Sequence, residues 1–129
     1  MENSFVEVLL SQKHLPSPVK CISHPDTDTI AKTICAFLNA QGGWIVIGVD
    51  DDHNYVGIKD VEIENKIQYE ITNNISPLPL VYVQKESYKS ERIILITVIK
   101  GSLQPYSYKN KYYISRGNCF WFKFRCICI

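Results

Sequence analysis

Three consecutive carboxylates, Asp50, Asp51 and Asp52, are the first candidates for chemistry in this chain. Carboxylate oxygens are the ligands that hard divalent cations prefer, so a cluster of this kind can contribute to a metal site. The same residues also favour a turn, because an aspartate side chain accepts hydrogen bonds from the backbone that follows it. The sequence leaves both roles open and favours the turn.

The histidines and cysteines give weaker evidence of a metal site or a nucleophile. The three histidines share no ligand spacing. A thiolate site near the end of the chain would use Cys119, Cys126 and Cys128, but a fourth ligand at the usual spacing is missing. Cys21 and Cys35 lack the histidine and acid that activate a nucleophilic thiol. We therefore predict no metal and no cofactor.

Positive charge and aromatic side chains are concentrated in the last quarter of the chain. Residues 1–99 carry 8 basic and 13 acidic side chains, whereas residues 100–129 carry six basic ones and no acid. Cations interleaved with aromatic rings suit a phosphate backbone and unstacked bases. The alternative is an ordinary β-hairpin with aromatic side chains inward and lysines in water. The predicted nucleic-acid contacts are Lys100, Lys109, Lys111 and Arg116, with Tyr108 and Tyr112 as stacking platforms.

The elements that must position these residues form an α+β pattern. Apolar residues recur at helical spacing over residues 27–40 and again over 61–75, where every fourth residue is isoleucine. Strands are predicted at 44–49, 80–85, 92–99 and 111–114, and residues 5–10 fit either a strand or a helix. We predict a mixed β-sheet with two helices packed mainly on one side.

The end of the first predicted helix is marked by Asn39 and the pair Gly42-Gly43. Glycine adopts the left-handed conformation of a helix C-cap at little cost, so we predict that this pair ends the helix. No loop of the G-x-x-x-x-G-K-[ST] type follows, so the sequence gives no argument for a nucleotide cofactor.

Composition limits the class of protein. At 129 residues, with 46% hydrophobic and 21% charged side chains, the chain suits one globular domain. No apolar run approaches the ~18–20 residues needed to cross a bilayer, so we predict no membrane partner. Five cysteines, an odd number without small-scaffold spacing, favour reduced thiols and a cytoplasmic protein.

The stretch from Ile30 to Ile58 resembles the Schlafen family, specifically the Alba-like domain that forms the Schlafen core. The matching residues are Ala36, Phe37, Asn39, Gly42 and Gly43, then Ile47, Gly48, Val49, Asp51 and Asp52, then Val56 and Gly57. Partial matches extend over residues 13–118. The resemblance implies one Alba-like domain over residues 1–118, followed by an atypical aromatic and basic tail over residues 119–129.

The resemblance also implies where catalytic residues would stand. Several Schlafen cores are metal-dependent endoribonucleases that use three carboxylates, two before the first helix and one in the Asp-Asp turn. At the first two positions this sequence has Lys13 and Pro18, and only Asp51 is kept. A single carboxylate cannot hold a divalent ion in a competent geometry. We therefore predict a catalytically inactive domain.

The function that follows is binding. The resemblance points to a truncated orthopoxvirus copy that binds RNA, of the transfer-RNA type, or modulates a host Schlafen protein. Two alternatives remain open, a metal-dependent endoribonuclease and a decayed gene product without function.

Overall fold

Nine short strands in two sheets, with three helices, make up the part of the chain that the computed structural model describes. Its backbone is described for residues 5–11, 18–116, 119–122 and 125–128, and its side chains for residues 5–11 and 18–114. The helices are α1 (Phe5–Ser11), α2 (Thr27–Leu38) and α3 (Ile63–Asn74). The strands are β1 (Val19–Ile22), β2 (Gly42–Ile47), β3 (Ile75–Ser76), β4 (Val81–Tyr88), β5 (Glu91–Ile99), β6 (Ser107–Tyr108), β7 (Lys111–Arg116), β8 (Cys119–Phe122) and β9 (Arg125–Cys128). No helix in these ranges is long and apolar enough to cross a membrane.

The first sheet has four strands in the order β1-β2-β5-β4. Strands β1 and β2 are parallel, with Val19 opposite Trp44, and α2 forms the crossover between them. The other two pairings are antiparallel. The predicted α+β class and mixed sheet are therefore confirmed.

The second sheet has the order β3-β6-β7-β8-β9 and was not foreseen. Its first two strands have only two residues each, too few for any alternation of polar and apolar residues to be recognised. Arg116 of β7 pairs with Cys119 of β8, so the sheet continues past residue 118. The domain boundary after residue 118 stays a prediction.

Helices α2 and α3 pack on one face of the first sheet. The isoleucine stripe of α3 is buried there at Ile63, Ile67 and Ile71, as its spacing predicted. The ambiguous residues 5–10 belong to α1, which covers part of the opposite face through Val6 and Leu9. Two of the three helices thus lie on one side, in agreement with the prediction.

The two ends of α2 are capped in different ways. Asp26 is the N-cap, and its side chain accepts hydrogen bonds from the Asp28 N–H at 3.2 Å and from the Thr29 hydroxyl at 2.9 Å. The helix ends at Asn39, as predicted, and Asn39 is its C-cap with φ −86°, so the prediction of a left-handed glycine cap is wrong. The left-handed residue is Gly42, with φ +84°, and it begins β2 instead. A Cβ there would collide with the Val98 carbonyl oxygen, so both the conformation and the close approach require glycine.

Candidate functional site

The β6–β7 hairpin carries four of the six predicted nucleic-acid contacts, Tyr108, Lys109, Lys111 and Tyr112. Lys109 and Asn110 form its two-residue turn, with φ of 49° and 66°. Two left-handed residues give the turn the twist that the flanking strands require. Lys109 and Lys111 are exposed, and 44% of the Tyr112 surface is accessible to solvent. The hairpin therefore brings two lysines and one tyrosine to the surface within four residues.

Tyr108 lies in the same hairpin but cannot be a stacking platform. Only 1% of its surface is exposed, and its hydroxyl lies 3.1 Å from an Asp28 carboxylate oxygen and 3.0 Å from one of Glu70. Burial raises the pKa of Tyr108, and hydrogen bonds to Glu70 and Asp28 raise it further. The prediction rested on the lysines that surround Tyr108 in the sequence. A strand of two residues has no alternation of polar and apolar side chains that would show which of them is buried. This prediction is corrected to a buried structural role.

The remaining two predicted cations lie outside the paired part of the hairpin. Lys100 is exposed and directly follows β5, a strand of the first sheet. Gly101, next to it, donates a backbone hydrogen bond to Leu38 at the end of α2, at 3.0 Å. Arg116 is the last residue of β7, and its side chain lies outside the described residues. Lys100 is thus on a different element from the hairpin, and no position is assigned to the Arg116 guanidinium.

The acidic turn after β2 is organised by its first residue. Asp50 accepts hydrogen bonds through Oδ1 from the backbone N–H of Asp52 at 2.9 Å and of Asn54 at 2.8 Å. The hydrogen bond from the Asn54 backbone is the main cause that lowers the pKa of Asp50. Asp51 and Asp52 are exposed. Asp50 therefore serves the geometry of the turn, as one of the two predicted roles requires.

Two of the three positions where the resemblance implies carboxylates, Pro18 and Asp51, belong to the described residues and lie beyond opposite ends of the β1–β2 pair. Pro18 precedes β1, and its carbonyl accepts a hydrogen bond from Trp44 at the beginning of β2, at 2.9 Å. Asp51 follows the far end of β2. Three residues of strand, 45–47, and three further residues lie between Trp44 and Asp51, and the strand part alone spans about 10 Å at ~3.3 Å per residue. Lys13 lies outside the described residues. Within the described ranges, no three His, Cys, Asp or Glu side chains are grouped so that they could hold a metal ion.

The cysteine side chains that the structure describes are structural. Cys35 is buried, and its thiol donates to the Tyr106 carbonyl oxygen at 3.2 Å. Burial raises the pKa of Cys35 to about 12. Burial, with a smaller contribution from Asp51, raises the pKa of Cys21 to about 11. Both thiols are therefore protonated and poor nucleophiles at neutral pH. The side chains of Cys119, Cys126 and Cys128 lie outside the described residues.

An open cleft of about 580 Å³ was not predicted from the sequence. It lies between α1, the turn that follows β2 and the β4–β5 hairpin, and Tyr55 and Tyr88 form part of its wall. Its lining comes from three segments that are far apart in the chain. A pattern within any one segment therefore could not have revealed it.

Three comparisons relate this chain to known proteins. A family model described as Schlafen, AlbA_2 matches residues 10–119. The DIP2311 protein from Corynebacterium diphtheriae has a similar structure, with a TM-score of 0.64 and 17% identity over 96% of this chain, which spans 25% of that protein. The N-terminal domain of a putative ATP-dependent DNA helicase RecG-related protein from Nitrosomonas europaea is also similar, with a TM-score of 0.54 and 18% identity over 74% of this chain and 69% of that domain. No curated protein matches.

Proposed function

The chain belongs to the Schlafen AlbA_2 family, and on that premise we propose that it is a catalytically inactive member that binds RNA through the β6–β7 hairpin. The RNA class that the family resemblance favours is transfer RNA. We propose a cytoplasmic setting, which the odd number of cysteines supports. The origin as a truncated viral copy stays a prediction from the resemblance.

The observation that carries the binding proposal is the surface of the hairpin. Lys109 and Lys111 are exposed beside Tyr112, of which 44% is accessible. Lysine ammonium groups neutralise phosphates and release counterions, whereas an exposed tyrosine ring stacks on an unpaired base. Such a combination favours single-stranded or looped RNA over a regular duplex.

The distribution of charge along the sequence supports the same part of the chain. The last 30 residues carry six cations and no acid, although the whole chain has a net charge of only +1. A polyanion approaching from solvent is therefore attracted to the end of the chain that contains the hairpin. The first 99 residues carry 13 acids and 8 bases, a net charge of −5, and offer no such excess of cations.

The proposal of inactivity rests on the family's carboxylate positions. Pro18 and Lys13 stand at two of them and offer no carboxylate oxygen. Asp51 is exposed in a turn that Asp50 organises by itself. Cleavage with a divalent metal would need further acids placed beside Asp51 to orient the attacking oxygen.

The proposal is tested by titrating the purified chain with labelled transfer RNA in Mn²⁺, at low and at physiological salt, on gels that resolve binding and cleavage. We expect a shifted band without cleavage and weaker binding at higher salt, because phosphate contacts depend on counterion release. Cleavage would overturn the proposal of inactivity. No binding at either salt would overturn the RNA proposal and leave a protein partner or a decayed product.

Variants of the hairpin localise the binding. Lys109→Gln and Tyr112→Ala should each weaken RNA binding, and the lysine variant should also reduce the salt dependence by about one unit of slope. Lys59→Gln is the matched control, because Lys59 is an exposed lysine outside the hairpin. Equal losses at Lys59 and Lys109 would show that binding is not localised at the hairpin.

A further inference from the structure

The open cleft of about 580 Å³ has features that the RNA proposal does not use. The residues that matter to its chemistry are Glu7 from α1, His53 and Tyr55 from the turn after β2, and Tyr88, Lys89 and Glu91 from the β4–β5 hairpin. A tight turn at Lys89 and Ser90, both with positive φ, places Tyr88 opposite Glu91. The backbone of this turn thus fixes the positions of Tyr88 and Glu91 relative to each other.

The aromatic part of the cleft is a pair of tyrosines. The ring centroids of Tyr55 and Tyr88 are 4.4 Å apart, with an angle of 39° between their planes. The ammonium group of Lys89 lies 5.2 Å from the centroid of the Tyr88 ring. The faces of aromatic rings carry partial negative charge, which is why they attract cations. The Tyr88 ring therefore already attracts one cation, the ammonium group of Lys89, which an arginine of a partner would have to displace or share.

Acidic residues near the tyrosines outnumber the one lysine of the cleft, Lys89. Glu7 and Glu91 line the cleft. Glu86 precedes Tyr88 by two residues on β4, so the two side chains project from the same face of the strand. Its Oε2 atom is buried without a hydrogen-bond partner among the described residues.

The titration behaviour of the site agrees with this geometry. Burial raises the pKa of Tyr55, and Tyr88, Glu7, Cys21 and Glu86 add to the shift. Burial also raises the pKa of Glu86. Acidic groups from α1 and from β4 therefore act on the same tyrosine.

We propose that this cleft binds an arginine side chain of a basic partner protein. A guanidinium group stacks on an aromatic ring while its N–H groups donate to a carboxylate, and the cleft offers both kinds of surface. Lysine has a strongly hydrated point charge and fits such a site less well. The acids repel phosphate groups, so this cleft would bind a different class of ligand from the RNA-binding hairpin.

The proposal is tested with the full chain, labelled with ¹⁵N, by titrating it with an acetylated and amidated Gly-Arg-Gly-Arg-Gly peptide and following backbone amide shifts. We expect shifts at Tyr55, Tyr88 and Glu91. The matched peptides replace arginine by lysine or by citrulline, which keeps the shape of arginine without its charge. The lysine peptide should bind several-fold more weakly and the citrulline peptide at least about tenfold more weakly, because charged hydrogen bonds are the stronger ones.

Variants assign the contacts within the cleft. Glu91→Gln should weaken binding of the arginine peptide by about tenfold and Tyr88→Leu by about threefold or more. Glu64→Gln is the control, because Glu64 lies on α3, on the opposite face of the sheet, and should leave binding unchanged. The dispersion of the amide spectrum shows whether each variant is folded.

Three results would overturn the proposal. The citrulline peptide could bind as well as the arginine peptide, or a short single-stranded RNA could shift the same amides. The amides of the cleft could also shift with protein concentration in the absence of peptide, which would mean that a second copy of this chain occupies the cleft.

Discussion

The side-chain amide of Asn39 pairs with both backbone polar groups of Tyr106. Its Nδ2 donates to the Tyr106 carbonyl oxygen at 2.8 Å, and its Oδ1 accepts from the Tyr106 N–H. The same Nδ2 donates to the Tyr113 carbonyl oxygen at 2.8 Å. One side chain at the end of α2 thereby fixes the segment that leads into β6 and the middle of β7.

Asn39→Ala should be strongly destabilising. The change removes the acceptor of the Tyr106 N–H and one donor each from the carbonyl groups of Tyr106 and Tyr113, at a cost of about 2–4 kcal/mol in the free energy of unfolding. The Tyr106 carbonyl keeps the Cys35 thiol as a donor. Urea denaturation followed by circular dichroism measures the loss. Asn39→Asp should be at least as harmful, because a carboxylate would face the two carbonyl oxygens. A loss below ~0.5 kcal/mol in both variants would contradict the role assigned to Asn39.

Tyr108→Phe should lower stability by about 1–2 kcal/mol, because the carboxylates of Asp28 and Glu70 lose the hydroxyl that lies between them. Tyr112→Phe is the matched control and should have no measurable effect, since its ring is exposed. Thermal unfolding of the two variants side by side makes the comparison. Equal midpoints would mean that the buried hydroxyl contributes nothing.

The thiols of Cys35 and Cys21 should resist alkylation in the native protein. Their pKa values, raised to about 12 and about 11, leave thiolate fractions at pH 8 on the order of 10⁻⁴ and 10⁻³. Iodoacetamide labelling with peptide mapping should find both unmodified, and both modified in urea. Because the folded pKa of Cys35 is raised above its ordinary 9.0, its contribution to stability is complete below pH 9 and is lost as the pH rises towards 12. Rapid native labelling of Cys35 would contradict its burial.

Gly42→Ala should destabilise the protein by about 2–4 kcal/mol. Alanine is strained at a φ of +84°, and its Cβ would collide with the Val98 carbonyl oxygen between the two central strands. Gln41→Ala, at the exposed preceding residue, is the control and should change stability by less than ~0.5 kcal/mol. Similar denaturation midpoints for the two variants would show that the backbone relaxes at Gly42 without cost.

Asp50 and Asp51 are neighbours in the acidic turn but have different expected roles. Asp50 organises the turn, whereas Asp51 occupies the position that the family uses for catalysis. Asp50→Ala should destabilise the turn, and this effect should disappear at low pH. The native pKa of Asp50 lies below its ordinary 3.8, so its stabilisation is present above that pH and is lost as the pH falls through the native value. Asp51→Ala should leave both stability and RNA binding unchanged. RNA cleavage that disappears in Asp51→Ala would instead establish the endoribonuclease alternative.

The long periodic elements could be predicted, and the short ones could not. The helices at Thr27–Leu38 and Ile63–Asn74 and the central strand lie within a few residues of their predicted bounds, because each buries a continuous stripe or run of apolar side chains. Burial of Tyr108 depends on Asp28 and Glu70, which come from other elements. The cleft likewise depends on three separate segments. Tertiary contacts of this kind leave no local period in the sequence.

The position of β2 in the first sheet has a consequence for biosynthesis. This strand lies between β1, which is made before it, and β5, which is made only after α3 and β4. Its antiparallel partner is thus at residues 94–99, opposite residues 42–47. A ribosome must therefore add roughly fifty more residues before β2 can form half of its backbone hydrogen bonds, a delay that slows folding and exposes an apolar edge. The nascent chain consequently passes through a stage in which β2, whose side chains are mostly buried in the finished protein, has an unpaired apolar edge.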